Sequence, residues 1–154
     1  MIRKSFLMFV GLVITGVSAV GAAETVVLEP VADAAVYEEG DFANGSGSYL
    51  FAGRTESRNG AVERRSLIAF DIVGAVPGGA TITEVSLELT MSRTISGSQT
   101  VELRRVIESW SEGPSDAPNQ EGVGAAAGAG DVTWMHRDFP NSTWMMPGGS
   151  TSSV

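Results

Sequence analysis

Residues 64–89, RRSLIAFDIVGAVPGGATITEVSLEL, decide the fold class of this chain. They open on an apolar run, residues 65–72, in which Ile68, Phe70 and Ile72 alternate with Leu67 and Ala69. Apolar groups on both faces suit a strand with neighbours on either side better than an edge strand. Pro77-Gly78-Gly79 then interrupts the chain. Proline has no N–H to give a ladder, and glycine accepts the positive φ that tight turns require. Residues 82–92 alternate strictly, Val85, Leu87, Leu89 and Met91 against Glu84, Ser86, Glu88, Thr90 and Ser92. Period two with one polar face predicts a half-buried strand. The core is therefore all-β.

The same signals recur outward from this stretch. Residues 25–28 and 32–37 read as short strands around Pro30, with Ala34 and Val36 on one face and Ala35 and Tyr37 on the other. Residues 38–48, EEGDFANGSGS, read as a loop, 49–53 as a strand, and 54–63 as a charged hairpin connection turning at Asn59-Gly60. Towards the C-terminus, Ser96-Gly97-Ser98 leads into a strand over 100–110 whose alternation slips at Arg105, the mark of a β-bulge. Residues 112–130 are rich in Gly and Ala and lack periodicity, an insertion of the length at which loops are functional or mobile. Residues 131–135 predict one more short strand, and 150–154 a disordered polar tail. No helix longer than one turn is expected. Short strands between turn signals point to a β-sandwich over residues 24–149, and the polar tail leaves it short of its last strands.

The first 23 residues stand apart. Arg3 and Lys4 precede an apolar stretch over 6–20, and Gly21-Ala22-Ala23 offer the small residues that a signal peptidase reads. We expect a signal peptide, residues 1–23, cleaved near Ala23, because the apolar stretch falls short of the ~20 residues that span a bilayer. The product is then secreted or held at the cell surface. Cleavage removes two of the 10 cations and none of the 18 acids, so the net charge moves from −8 to −10. A surface this acidic repels nucleic acid and anionic lipid, which bind through phosphate neutralisation. Neither nucleic acid nor, after cleavage, a membrane is an expected partner. Cysteine is absent, so the exported domain relies on sheet packing, a pattern common in bacterial surface proteins.

Four stretches share their order and spacing with a known family. They are Ala32-Asp33-Ala34-Ala35-Val36-Tyr37; Asn44-Gly45-Ser46 followed by Leu50 and Gly53; residues 65–71 with Pro77-Gly78-Gly79-Ala80-Thr81-Ile82; and Leu103-Arg104-Arg105-Val106 with Ser109-Trp110-Ser111-Glu112-Gly113. Residues 24–149 resemble the DNRLRE-type, disaggregatase-related β-sandwich domains of secreted and cell-surface microbial proteins, relatives of carbohydrate-binding modules. Their Gly-rich segment also resembles that of a subgroup with an insertion between Trp-x-Glu-Gly and the next Trp, here Trp134. The resemblance implies a jelly-roll sandwich, polysaccharide binding without catalysis, and further strands after Pro147-Gly148-Gly149.

Two sets of residues are candidates for binding. Flat rings stack on the apolar face of a pyranose, and arginine forks to the carboxylate of an acidic sugar. Tyr49, Arg54, Arg64, Arg65, Arg105 and Trp144 fit that chemistry, with Tyr49 and Trp144 expected to be exposed and Trp110 and Trp134 to be packed. Hard oxygen ligands in acidic loops suit a structural calcium ion. Asp41 and Asn44 in the first loop, and Asp116, Glu121 and Asp131 around the insertion, supply them. His136 is the only histidine; a triad or a zinc site needs partners at fixed geometry that no cluster here offers, so it reads as a surface residue. The expectation is a secreted, non-catalytic β-sandwich module that binds polysaccharide. The alternatives are a structural spacer of a surface protein without a small ligand, and the N-terminal part of a polysaccharide-active enzyme.

Overall fold

The structure, a computed structural model, describes residues 2–3, 14–16, 24–57 and 60–152. Most of the leader read over 1–23, and the turn residues Arg58 and Asn59, lie outside them. The strands are β1 (Ile2–Arg3), β2 (Ile14–Gly16), β3 (Glu24–Val26), β4 (Ala32–Tyr37), β5 (Phe42–Asn44), β6 (Tyr49–Leu50), β7 (Gly53–Ser57) and β8 (Gly60–Ala69). One helical turn, α1 (Ile72–Ala75), separates them from β9 (Arg105–Val106), β10 (Ala125–Ala126), β11 (His136–Asp138), β12 (Ser142–Thr143) and β13 (Thr151–Ser152). The chain is all-β, as its periodicity predicts. It forms two compact units, Asp33–Leu67 and Met91–Val154 with Met1–Lys4 in one, Ser5–Ala32 and Ile68–Thr90 in the other.

The largest sheet runs in the order β10-β5-β4-β8-β7. β8 is interior, between β4 and β7, as the apolar groups on both its faces require. The alternation of β4 divides the packing of the first unit in two. Ala34 and Val36 join Leu67, Val132 and Trp144, with Val106, Trp110 and Trp134 against them. Ala35 and Tyr37 join Phe51, with Phe42 and Tyr49 beside them. Each large apolar side chain buried in this way contributes about 1.5–3 kcal/mol. β7 forms the outer edge, paired antiparallel with β8 from Gly53↔Arg64 to Ser57↔Gly60. The segment expected as a hairpin connection is thus two strands. Arg54 stands opposite Glu63 and meets it at 3.5 Å, and opposite charges across a ladder support its pairing.

Local departures from expectation share a cause: period two supplies a face, but a strand also needs a partner. β5 forms inside the expected 38–48 loop because Ala43 pairs with Val36 on one side and Ala125 on the other. Residues 82–92, by contrast, form no strand; only Ile82 and Met91 make single bridges, and Val85 and Met91 are exposed. Of the strand expected over 100–110, only β9 is paired, and Val101 and Leu103 face solvent. Its partner is β13, so the tail expected to be disordered is held as far as Ser152. Residues 131–135 carry no ladder; the strand lies just beyond, in β11 with β12.

In the second unit Leu28 is buried with Val26, Phe70, Ala75 and Val76 against it, and the Val31 N–H donates to Ala69 O at 2.9 Å. The run expected as a strand to residue 72 stops at Ala69, because Asp71 caps α1 by accepting from Gly74 N at 2.8 Å. Pro77-Gly78-Gly79 turns the chain as predicted, with Ala80 N donating to Pro77 O at 3.1 Å.

Burial separates two leucines that periodicity alone treats alike. Leu67→Ala should destabilise the protein by about 2–4 kcal/mol in a denaturant titration, whereas Leu103→Ala, 62% exposed in the wild type, should change it by less than about 0.5 kcal/mol.

Candidate functional site

The densest polar constellation joins the insertion to the five-stranded sheet. Glu121 lies at its centre, in a turn closed by its own N–H to Pro118 O and by Gly124 N to Glu121 O. Its φ of 61°, and 59° at Asn119, place two non-glycine residues in the left-handed region, which costs energy unless the surroundings hold them there. They do. Glu121 Oε2 accepts from Asn44 Nδ2 at 2.8 Å and Tyr49 N at 2.9 Å, and Oε1 from Ser48 N at 2.8 Å. The Glu121 carbonyl accepts from the Tyr37 hydroxyl at 2.7 Å, and Asn44 Oδ1 from Ala117 N at 2.9 Å. Gly124, at φ +72°, passes so close that a Cβ would lie 2.9 Å from Phe42 Cβ, so this turn requires glycine.

Arg64 covers the same face. Its guanidinium lies 4.8 Å from the centre of the Tyr37 ring, pairs with the Glu39 carboxylate, and donates to Gly122 O through Nε at 3.3 Å and Nη2 at 3.2 Å. Burial pushes the Tyr37 phenol well above its ordinary value; the Arg64 charge works against that shift, and Glu121 and Glu39 add to it. Tyr37 therefore remains a donor. A second clamp closes the far end of the insertion, where the Asp131 carboxylate accepts from Ser115 N at 3.0 Å, the Ser115 hydroxyl and Gly128 N at 2.6 Å. Asp33 N to Glu112 Oε1 at 2.9 Å and Ala127 N to Asp41 O at 3.0 Å add further ties. The insertion is a strap fastened along its length.

The calcium candidates are distributed accordingly. Asn44 and Glu121 are brought into direct contact, but by a hydrogen bond. Asp131 belongs to the other clamp, and Asp41 and Asp116 are exposed. Glu121 and Asp131 present both carboxylate oxygens to N–H and O–H donors. Among the described residues no group of three or more His, Cys, Asp or Glu is arranged to hold a metal ion.

The glycan candidates divide by face. Successive strand residues point opposite ways, so Arg64 and Arg65 cannot share one patch. Arg64 is 4% exposed, inside the network around Tyr37. Arg65 lies on the other face, 4.7 Å over the Trp134 ring, with Nε to Glu63 Oε1 at 2.6 Å and Nη1 to Gly148 O at 3.0 Å. Arg54 reaches the other oxygen of Glu63. Trp144, expected to be exposed, is a core residue at 6% exposure whose Nε1 donates to Thr133 O at 3.0 Å. Trp110 and Trp134 pack partly buried against that core, as expected. Tyr49 is half-buried, and Arg105 is exposed on β9. Sequence reasoning passed over Tyr37 and Glu39 as members of the network; the strand alternation that pairs Tyr37 with Ala35 was the available signal.

No protein-family model, curated protein or solved structure matches the chain.

Removal of the central carboxylate strands three donors. Glu121→Ala should cost about 3 kcal/mol or more in denaturant unfolding, against less than about 0.5 kcal/mol for Glu84→Ala on the solvated side. The raised Tyr37 phenol gives a sign at alkaline pH. Its contribution to stability is intact below the unfolded-state value of ~10 and is lost as pH rises towards the folded-state value. Tyr37→Phe should flatten the fall of melting temperature between pH 9 and 11 while lowering stability at pH 7 by about 1 kcal/mol.

Proposed function

We propose that the chain is an exported, non-catalytic β-sandwich module of the jelly-roll kind, similar to the DNRLRE-type domains, and that it binds acidic polysaccharide through the Arg54–Arg65–Trp134 face. One observation carries this reading. Arg54 and Arg65 share a single carboxylate, Glu63, at 3.5 and 2.6 Å, so two guanidinium groups converge on one side chain in a chain whose net charge is −8. Both guanidinia reach water, with side chains 65% and 41% exposed, and that of Arg65 lies 4.7 Å over the centre of the Trp134 ring. A preoriented, solvent-facing guanidinium beside an indole suits a uronate, whose carboxylate takes a forked donor while its ring packs on apolar surface.

A second reading, a structural spacer, is favoured by a different observation: Arg64 and Trp144, two of the six glycan candidates, are consumed by internal packing and hydrogen bonding.

Affinity electrophoresis of the mature chain in neutral and uronate polysaccharides, with and without Ca²⁺, separates the two. Retardation by a uronate polymer is expected, and Arg54→Ala/Arg65→Ala should weaken it by about tenfold or more while circular dichroism stays unchanged. A folded chain that migrates freely in every gel supports the spacer.

A further inference from the structure

We propose, resting on the binding face described above, that Glu63 is an internal stand-in for the ligand: its carboxylate occupies the Arg54 and Arg65 guanidinia in the free protein, and an acidic sugar binds by displacing it. Arg65 Nε donates to Glu63 Oε1 at 2.6 Å, and Arg54 Nη2 lies 3.5 Å from Oε2. The two oxygens are thus divided between two cations, an arrangement equally open to a uronate carboxylate. All three side chains share one face of the β7–β8 ladder, because Arg54 stands opposite Glu63 and Arg65 follows Glu63 by two residues.

A strut and a stand-in differ in whether Arg65 depends on Glu63 for its position. It does not. The Arg65 guanidinium lies 4.7 Å from the centre of the Trp134 ring, and its Nη1 donates to Gly148 O at 3.0 Å. Gly148, at φ +80°, passes so close that a Cβ there would lie 2.7 Å from Arg65 Nη1 and 2.9 Å from Trp134 Cζ2. Only glycine allows that approach, and it sets the backbone against both side chains. Ring and carbonyl therefore hold Arg65 after the carboxylate has left. Glu63 in turn keeps its place in β8 without its side chain, since its N–H donates to Glu38 Oε2 at 2.6 Å and its carbonyl accepts from Glu38 N at 3.1 Å. With the backbone fixed, the carboxylate swings to water by side-chain rotation alone. Ion pairs that water reaches are weak, so a ligand carboxylate competes for these guanidinia, and its affinity is lowered by the displacement.

The test is affinity electrophoresis of the full chain through a uronate polysaccharide, with the wild type beside Glu63→Gln, Glu63→Asp and Glu84→Gln, each first shown by circular dichroism to fold. Glutamine keeps the size of Glu63 and an oxygen for Arg65 but gives up the charge. Glu84, exposed in the other compact unit, loses the same charge elsewhere. The apparent Kd should fall about two- to fivefold in Glu63→Gln and stay unchanged in Glu84→Gln. Glu63→Asp, which draws the carboxylate back by one methylene, should lie between wild type and Glu63→Gln. A wild type that is retarded, with Glu63→Gln retarded equally or less, overturns the stand-in and leaves the binding face intact. An equal gain in Glu84→Gln overturns it as well, since the effect is then one of net charge. Free migration of the wild type with retardation of Glu63→Gln sustains the stand-in and shows the wild-type site closed. Free migration of every folded chain overturns both the stand-in and the binding face.

Discussion

A buried carboxylate that receives hydrogen bonds from chain segments distant in sequence constrains every element around it. Glu121 is that carboxylate. Asn44, Ser48 and Tyr49 lie more than 70 residues before it, and all three donate to it. An unsatisfied polar group in such a place costs about 1–3 kcal/mol, so the turn that presents Glu121 and the strands that present its donors specify one another. The left-handed backbone at Asn119 and Glu121 becomes tolerable because these contacts hold it. Tyr37 and Arg64 extend the same network across β4 and β8, which is why a strongly acidic chain buries one of its few cations.

This changes the meaning of the Gly-rich segment. A long stretch without periodicity suggests mobility, yet here the absence of period reflects a strap that follows the sheet by hydrogen bonds rather than by an apolar stripe. Its glycines serve close approach, most plainly Gly124 against Phe42 and Tyr37. The face proposed for recognition is then the opposite one, where Arg54 and Arg65 both reach Glu63 and Arg65 lies over Trp134. The same separation keeps the fastening apart from the proposed binding face, so that either can be altered without the other.

The sequence made the all-β class legible, together with the interior position of β8 and the two faces of β4, because those rest on apolar alternation. It overstated strands where alternation was present without a partner, as at Val85 and Leu103, and understated them where two or three residues pair, as in β5, β10 and β13. Long-range pairing leaves no local mark. For the candidate site, residue type placed Asn44 and Glu121 in two separate acidic loops, and nothing local marked that a hydrogen bond joins them. Arg64 and Arg65 were grouped by adjacency although a strand sends them to opposite faces. Trp134 was set apart from Trp144 by a strand expected over 131–135 that carries no ladder; packing instead decides which indole is covered.

The most direct test of this account is native-state amide hydrogen exchange on the wild-type chain. If the insertion is fastened by buried carboxylates, the amides of Ser48, Tyr49, Ala117 and Gly128, none of them within a strand ladder except Tyr49, should exchange only at the rate of global unfolding. Exchange of Ser48, Ala117 and Gly128 at the rate of an unstructured peptide, while β4 and β8 stay protected, would mean that the strap is loose and the account wrong.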